Sequence, residues 1–408
     1  MPFIARAWRL VRLVLPVLVL ASTSSIAAAG PMVHVGNFKD STVSVIDSAT
    51  DLVVATIPVA AGPHGMGVTQ DGHWLYVSSD GSSVLNVIDT ATNRVTRTIE
   101  VGKSPHGVAL TPDGQLLLIA VNGDDRIAFI DTVKQTVVAQ VSVAKPHTIS
   151  VHPDGKVAYV ASQVPDHFAL VVIDLAKRVV LRTIALDKTP RDLEFAHDGK
   201  SLYFTQAGVN AIEVLDPTSD KVVAGIPTGV SPHYVNFFRG TALGMAVVQG
   251  PGELLLFDPL TNLTSRTIAV GKQPHWLAVR GDGKIAYVTN EGSNDVTVVN
   301  IANGTTTRIS VGNQPRKVVV QPTSGNVSIL ISIFAFIPAT VSIVAGTTVM
   351  WRNDDGAPHA VAFKEGSQVS GTLLPGDAFR RSFNQPGTYE YFCSIHNYMR
   401  GRVIVAPR

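Results

Sequence analysis

Short runs that alternate apolar and polar residues recur along most of the chain, and such alternation predicts β-strands. In one stretch the runs are Val84 to Ile88, Val95 to Val101, Gly107 to Thr111 and Leu116 to Ile119. The last two are separated by Pro112-Asp113-Gly114, and Asp-Gly between apolar runs is typical of a tight turn that joins antiparallel strands. The pattern therefore predicts an all-β chain built from antiparallel hairpins.

A repeat with a spacing of 41 to 44 residues organises these strands. Its first marker is a proline that is followed in most copies by histidine: Pro63, Pro105, Pro146, Pro190, Pro232, Pro274 and Pro315. A second marker, an apolar pair before an Asp or Asn, keeps the same phase: Asp47, Asp89, Asp131, Asp174, Asp216, Asp258 and Asn300. Four strands per unit at this period predict a seven-bladed β-propeller.

The two ends of the repeat array complement each other. The seventh unit stops at Pro322 with only three strands, whereas an orphan strand at Val33-His34-Val35 precedes the first unit. Pairing the orphan strand with the last three would complete seven blades of four and leave no unpaired sheet edge. We predict that the propeller occupies residues 31-322. The array resembles the repeat family named for the motif Tyr287-Val288-Thr289-Asn290, whose members are seven-bladed propellers of bacterial surface and exported proteins.

After Gly325 the repeat ends and apolar runs of a different spacing begin, first at Ile329 to Pro338 and Ala339 to Ile343. About eighty residues of such strands are enough for one small β-sandwich. We predict a linker at 323-326 and a second domain at 327-408.

The N-terminus has the order of a secretory signal. Arg6, Arg9 and Arg12 precede a short apolar run and then the small residues Ala27-Ala28-Ala29. We expect a signal peptide at 1-29, cleavage after Ala29 and a periplasmic or otherwise exported protein, with an uncleaved membrane anchor as the alternative. Loss of three arginines and no acid would change the formal net charge from +2 to −1. A nearly neutral chain without a run of Lys or Arg excludes nucleic-acid binding.

The only cysteine, Cys393, lies three residues before His396 and six before Met399. A thiolate, two imidazoles and a weak thioether make a soft mononuclear copper site, and His359 is the only other histidine of this domain. Met350 lies inside a predicted strand. The alternatives are a buried core thiol or a nucleophilic cysteine with a histidine base, and neither explains the methionine or the second histidine.

The C-terminal domain resembles the cupredoxins of the amicyanin and plastocyanin group. The matching residues are Trp351-Arg352-Asn353-Asp354-Asp355, Pro358-His359, Pro386 to Cys393, His396, Met399 and Gly401. The resemblance implies a Greek-key β-sandwich with one type 1 (blue) copper per chain, held by His359, Cys393, His396 and Met399, and electron transfer through the exposed edge of His396.

Three details limit what the resemblance implies. Ala360 and Asn397 depart from the family pattern near the ligands, which leaves the redox potential open. Nitrous oxide reductase has a similar domain order, but its electron-entry centre is binuclear and needs two cysteines, so a chain whose single cysteine is Cys393 cannot build it.

The Pro-His markers would place one residue of each blade around one mouth of the propeller channel. The ring is His64, His106, His147, Arg191, His233, His275 and Arg316. It could hold a metal or a small anionic ligand, but the sequence favours a structural repeat position without a second metal. The remaining propeller histidines, among them His34, are expected at the surface.

The function that the sequence predicts is that of an exported copper-binding electron-transfer protein. The propeller would be a docking platform, and a redox partner protein would dock near His396. The alternative is a propeller-based oxidoreductase with a His/Arg-lined channel site and the cupredoxin domain as its built-in electron relay. A propeller adhesin with accessory copper is a third hypothesis.

Overall fold

The computed structural model describes residues 30–237, 243–322, 326–365 and 369–406. The predicted signal peptide at 1-29 lies outside the described residues, as does most of the predicted linker at 323-326. Apart from one short 3₁₀ turn, Asn122–Asp124, the elements are β-strands, so the all-β prediction is confirmed for the part of the chain that the structure describes.

Six four-stranded antiparallel sheets are each built from consecutive strands and follow one another along the chain. Their strands are β4 (Pro63–Val68), β5 (Trp74–Ser79), β6 (Val84–Asp89) and β7 (Arg94–Glu100); β8 (Pro105–Leu110), β9 (Leu116–Val121), β10 (Arg126–Asp131) and β11 (Thr136–Ser142); β12 (Pro146–Val151), β13 (Val157–Ser162), β14 (Ala169–Asp174) and β15 (Val179–Ala185); β16 (Pro190–Phe195), β17 (Leu202–Gln206), β18 (Ala211–Asp216) and β19 (Lys221–Pro227); β20 (Pro232–Phe237), β21 (Gly244–Val248), β22 (Glu253–Asp258) and β23 (Leu263–Ala269); β24 (Pro274–Val279), β25 (Ile285–Asn290), β26 (Asp295–Asn300) and β27 (Thr306–Ser310).

The seventh sheet joins the two ends of the array. Its strands are β28 (Pro315–Val320), β1 (Met32–Asn37), β2 (Thr42–Asp47) and β3 (Leu52–Pro58), in that order. β1 pairs antiparallel with β28, with Val33 opposite Val320 and Val35 opposite Val318. The predicted closure by the orphan strand is therefore confirmed.

The inner strands of the blades surround a central channel. β4, β8, β12, β16, β20, β24 and β28 each contact the next, and β28 contacts β4. The apolar core lies between neighbouring blades, where the second strand of a blade buries a large side chain. Tyr76 in β5, for example, is fully buried and its hydroxyl donates a hydrogen bond to the carbonyl oxygen of Thr132, 3.1 Å away on the next blade.

His34 holds the same strand position in β1 and corrects one prediction. It was expected at the surface, but its exposed fraction is 0%, and neither ring nitrogen has a hydrogen-bond partner among the described residues. Burial lowers the pKa of His34 from 6.5 to about 4, so the side chain is neutral in the folded protein near pH 7.

The C-terminal strands form a two-sheet sandwich, which confirms the predicted second fold. They are β29 (Asn326–Ser332), β30 (Ala335–Ile337), β31 (Thr340–Val344), β32 (Thr347–Asn353), β33 (Ala362–Phe363), β34 (Ala378–Phe383), β35 (Gly387–Phe392) and β36 (Arg400–Ala406). One sheet has the order β30-β29-β32-β34 and the other β31-β36-β35-β33. Trp351, with 0% exposure, lies in the core between them.

The run from Ile329 to Pro338, which the sequence presented as one apolar stretch, is a hairpin. β29 and β30 are joined by Ile333 and Phe334, both with φ of 54°. Two left-handed residues in a hairpin turn are normally Asn or Gly, because a β-branched side chain is strained in this region. The turn was not predicted because none of those residues is present.

Candidate metal centre

Two loops bring the predicted ligands together. His359 lies in the segment between β32 and β33, and Cys393, His396 and Met399 lie between β35 and β36. The first loop is held by the fully buried Asn353, whose Nδ2 donates hydrogen bonds of 2.9 Å to the carbonyl oxygens of Ala357 and Leu373. A side chain that bonds its own loop in this way fixes the direction in which the loop leaves the strand.

The second loop is a compact turn. The amide of Met399 donates to the carbonyl oxygen of His396 (3.0 Å), and the amide of Cys393 donates to the carbonyl oxygen of Met399 (3.1 Å). Cys393 and Met399 are buried and belong to the same apolar cluster, whereas His396 is half-buried. The backbone thus presents three candidate ligands from one turn and leaves only His396 in contact with solvent.

Three ligand atoms form a small triangle. Sγ of Cys393 lies 3.7 Å from Nδ1 of His359 and 3.8 Å from Nδ1 of His396, and the two nitrogens are 3.2 Å apart. An ion with bond lengths of about 2.0–2.3 Å could contact all three atoms. Within the described residues, no other group of three or more His, Cys, Asp or Glu has its ligand atoms all within 4.8 Å of one another.

Backbone amides also point at the sulfur. The amides of Ala360 and His396 donate to Sγ of Cys393 over 3.4 and 3.3 Å. These two hydrogen bonds fix the position of the sulfur, and a cysteine binds a metal as the thiolate. The donor set of one thiolate and two imidazoles, with a buried thioether in the same turn, fits copper.

Asp355 orients His359 from behind. Its Oδ2 lies 3.0 Å from Nε2 of His359, and because a carboxylate only accepts, Nε2 carries the proton and Nδ1 keeps its lone pair toward the site. The same carboxylate accepts from the amides of Ile333 (3.0 Å) and Phe334 (2.8 Å). These bonds tie the strained turn of the β29–β30 hairpin to the ligand.

The hairpin places Phe334 against both histidines. Its ring centroid lies 4.9 Å from that of His396 and 5.4 Å from that of His359, in edge-on arrangements. Ile395 and Tyr398, on the ligand turn, are exposed apolar residues. The solvent-exposed part of His396 is therefore surrounded by apolar side chains. Neither Asp355 nor Phe334 had been named from the sequence as part of the site.

The structure brings the seven predicted ring residues together at the channel, each as the second residue of an inner strand. Ring centroids of His64 and His106 are 3.6 Å apart, and those of His106 and His147 are 3.9 Å apart. Burial lowers the pKa of all five histidines, so only the arginines carry charge at neutral pH.

Both arginines of the ring are engaged. Arg191 donates to Oγ of Ser231 over 2.7 Å, and Arg316 is paired with Glu291 at 3.2 Å. Nδ1 of His106, His147 and His233 faces the carbonyl oxygen of the next blade over 3.1 to 3.2 Å, so these rings donate between blades. These contacts bind neighbouring blades to one another.

Comparisons with known proteins match the two parts of the chain separately. Residues 21–114 match the family model described as YNCE-like beta-propeller, and residues 324–406 match that of copper binding proteins, plastocyanin/azurin family. Amicyanin of Paracoccus versutus is 43% identical over 75 residues, which are 17% of this chain and 57% of that protein. Amicyanin-alpha of Methylorubrum extorquens is 37% identical over 87 residues, 20% of this chain and 73% of that protein. Plastocyanin of Scenedesmus fuscus is 36% identical over 83 residues, 17% of this chain and 85% of that protein.

Two solved structures are similar in fold. A chain of Kuenenia stuttgartiensis hydrazine synthase gives a TM-score of 0.62 at 22% identity, with 67% of this chain and 93% of that chain covered. A functionally unknown protein from Desulfotomaculum acetoxidans gives 0.64 at 14% identity, with 72% and 100% covered. At these identities the likeness concerns the fold alone.

Proposed function

Because the chain belongs, through residues 324–406, to the plastocyanin/azurin family of copper-binding proteins, we propose that it is an exported electron-transfer protein. Its single type 1 copper would be held by His359, Cys393, His396 and Met399. The observation that carries the proposal is the triangle of one sulfur and two imidazole nitrogens with sides of 3.2 to 3.8 Å. Copper bound there supplies one-electron chemistry between Cu(I) and Cu(II).

The chain's own groups prepare this site. The amides of Ala360 and His396 hold the sulfur of Cys393 by hydrogen bonds, and Asp355 fixes the tautomer of His359. Since His359, Cys393 and Met399 are buried and both ligand loops are held by backbone hydrogen bonds, the site needs little movement when the charge changes, and a small rearrangement favours fast electron transfer.

His396 is the proposed exit for the electron. It is the half-buried member of the set, and the exposed apolar residues Ile395, Tyr398 and Phe334 lie beside it. An apolar surface with few charges suits a partner that must dock and leave quickly, because such an interface has little desolvation cost. A redox protein would bind there, while the propeller serves as docking platform.

Export and the domain limits belong to the same proposal. We infer a signal peptide at 1-29, a propeller at 31-322, a linker at 323-326 and a cupredoxin domain at 327-408. In the part of the chain that the structure describes, no helix is long and apolar enough to cross a membrane. Intact-mass measurement of the protein from a membrane-free fraction should give the mass of a chain that starts at Gly30; a full-length mass would contradict cleavage after Ala29.

Copper loading tests the site itself. The purified protein should take up one copper per chain and show the intense blue band of a thiolate–copper bond, and Cys393→Ser should abolish the band. Met399→Leu should change the band, whereas Met350→Leu, a methionine in β32 outside the site, should not. A copper-loaded, folded protein without the band would sink the proposal.

The second hypothesis is an oxidoreductase site at the channel ring. The number of copper ions per chain distinguishes it from the electron-transfer proposal. More than one copper per chain, falling to one when His106 and His275 are changed to Ala, would favour it. One copper in both proteins would support the electron-transfer proposal.

A further inference from the structure

Below the His/Arg ring, the channel contains a cavity of about 530 Å³, here called the channel pocket. The third residue of every inner strand lines it. In blade order these residues are Gly65, Gly107, Thr148, Asp192, Tyr234, Trp276 and Lys317. The second residue of each inner strand is His or Arg in every blade, whereas the third residue differs between most blades. The pocket is therefore lined asymmetrically.

The asymmetry divides the pocket into an open side and a filled side. Gly65 and Gly107 leave space, and Gly65 must be glycine because a Cβ there would collide with the carbonyl oxygen of His106. On the filled side the rings of Tyr234 and Trp276 are stacked, 3.5 Å between centroids and 23° between planes. The stacked rings of Tyr234 and Trp276 therefore form one wall of the cavity, and the two glycines leave space elsewhere in it.

Lys317 lies next to the aromatic wall formed by Tyr234 and Trp276. Its Nζ lies 3.2 Å from the ring centroid of Trp276 and 5.4 Å from that of Tyr234. The amine makes no hydrogen bond or ion pair within the described ranges, which include the pocket lining. Lys317 is half-buried, and an amine packed against aromatic rings loses part of the water that stabilises its charged form.

The electrostatics of Lys317 follow from this position. Burial lowers its pKa from 10.5 to about 7, against the opposing effect of the carboxylates of Asp192 and Glu194. At neutral pH a much larger share of this amine is therefore neutral and nucleophilic than of an ordinary lysine. Burial raises the pKa of Asp192 well above its usual range, so a carboxylic acid lies in the same pocket.

The charges around the cavity favour a neutral ligand. An ion that entered the pocket would lose its water, and neither the protonated Asp192 nor a partly neutral Lys317 would compensate that loss well. Among neutral molecules, a carbonyl compound is the class with which an unprotonated amine reacts. The volume of the cavity is in the range of small-molecule sites.

We propose that the channel pocket takes small neutral aldehydes or ketones and that Lys317 condenses with their carbonyl carbon. The nitrogen forms a C–N bond as the C=O π bond breaks, and the oxygen leaves as water with the two protons that the amine gives up. The product is an imine, and no oxidant or reductant is consumed. Asp192 is the group placed in the pocket to pass a proton to the departing oxygen. The proposal is independent of the copper site.

The test is selective labelling of the full, copper-loaded chain. The protein is incubated at pH 7 with benzaldehyde, the imine is trapped with cyanoborohydride, and the modified lysines are found by peptide mapping. Lys317 should be labelled about tenfold or more above Lys103 and Lys272, which are exposed and precede the same repeat marker on other blades. Labelling of Lys317 at or below the level of these two would overturn the proposal.

The pH dependence separates a reactive lysine from an ordinary one. Labelling of Lys317 should rise with a midpoint near pH 7, and its pH profile should differ from that of Lys103. A common profile would also overturn the proposal. Lys317→Met should remove the fast label and Lys272→Met should not, with the unfolding transition of the propeller in tryptophan fluorescence as the check of folding. The wild-type result stands even where a variant does not fold.

Discussion

The buried His34 gives a quantitative prediction about acid stability. Its pKa is about 4 in the folded protein and 6.5 in the unfolded chain, where the imidazole is solvated. Above pH 6.5 neither state is protonated and stability is full. As the pH falls from 6.5 to 4, the unfolded chain binds a proton that the folded protein does not, so stability decreases; below 4 both states bind it and the loss is complete.

The size of the effect follows from the same values. Each pKa unit corresponds to about 1.4 kcal/mol, so His34 should remove about 3 kcal/mol of folding free energy across this window, with a slope of about 1.4 kcal/mol per pH unit in its middle. His106 and His233, whose pKa values are lowered to about 4 and about 3 by burial, should add slopes of the same sign.

The variant His34→Phe removes the titrating group and keeps a flat ring in the cavity. We expect the stability of the propeller to fall less steeply between pH 6 and 4.5, by about 1.4 kcal/mol per pH unit relative to the wild type. His167→Phe, which replaces an exposed histidine, is the matched control and should leave the slope unchanged. At pH 7.5 His34→Phe should be no less stable than the wild type, because it also removes two unsatisfied nitrogens from the core.

The assay is denaturant unfolding at a series of pH values. Tryptophan fluorescence follows both domains, and the blue band follows the cupredoxin domain alone, so the propeller transition can be assigned. Equal slopes for His34→Phe and the wild type would refute the reasoning, since they would mean that the folded protein accommodates a charged imidazole at this position.

Two further predictions concern the copper domain. Asp355→Asn removes a negative charge next to His359, which should raise the reduction potential because Cu(II) loses more stabilisation than Cu(I). Spectroelectrochemical titration measures the potential. The control is Asp354→Asn, which should change the potential less because Asp354 pairs with an arginine instead. Ile333→Gly removes a β-branched side chain from a left-handed backbone position and should stabilise the domain by about 1 kcal/mol in thermal unfolding. The control Ile395→Gly should not stabilise it. A destabilised Ile333→Gly would contradict the proposed strain.

The architecture could be predicted from the sequence because its signals are periodic. A marker such as Pro63 returns in every blade, an Asp-Gly turn such as Asp113-Gly114 returns in five of the seven, and closure follows from counting strands at the two ends. The triangle around Cys393 was also accessible, because the four ligand types in this domain have few candidates. The repeat and the ligand set can both be recognised from the identity and spacing of residues along the chain.

The features that were missed depend on contacts across the chain. The turn at Ile333 and Phe334 has no local turn signal, since its amides are satisfied by Asp355, a residue of another loop. His34 was placed at the surface by residue type, although it shares a strand phase with the buried Tyr76. Lys317 follows an arginine in the last repeat and reveals its position only when the seven inner strands are seen around one axis.

The pairing of β1 with β28 also has a consequence for the order of folding steps. The two strands are separated by almost the whole propeller sequence, and bringing the ends of a loop of about 280 residues together costs about 5 kcal/mol of chain entropy, plus a constant. Pairings this distant in sequence form slowly, so the joining of Val33 to Val320 should be a late step, after most blades have found their own hairpins. Until then two strand edges are unprotected, and the interval between synthesis and ring formation is when this chain is most exposed to aggregation.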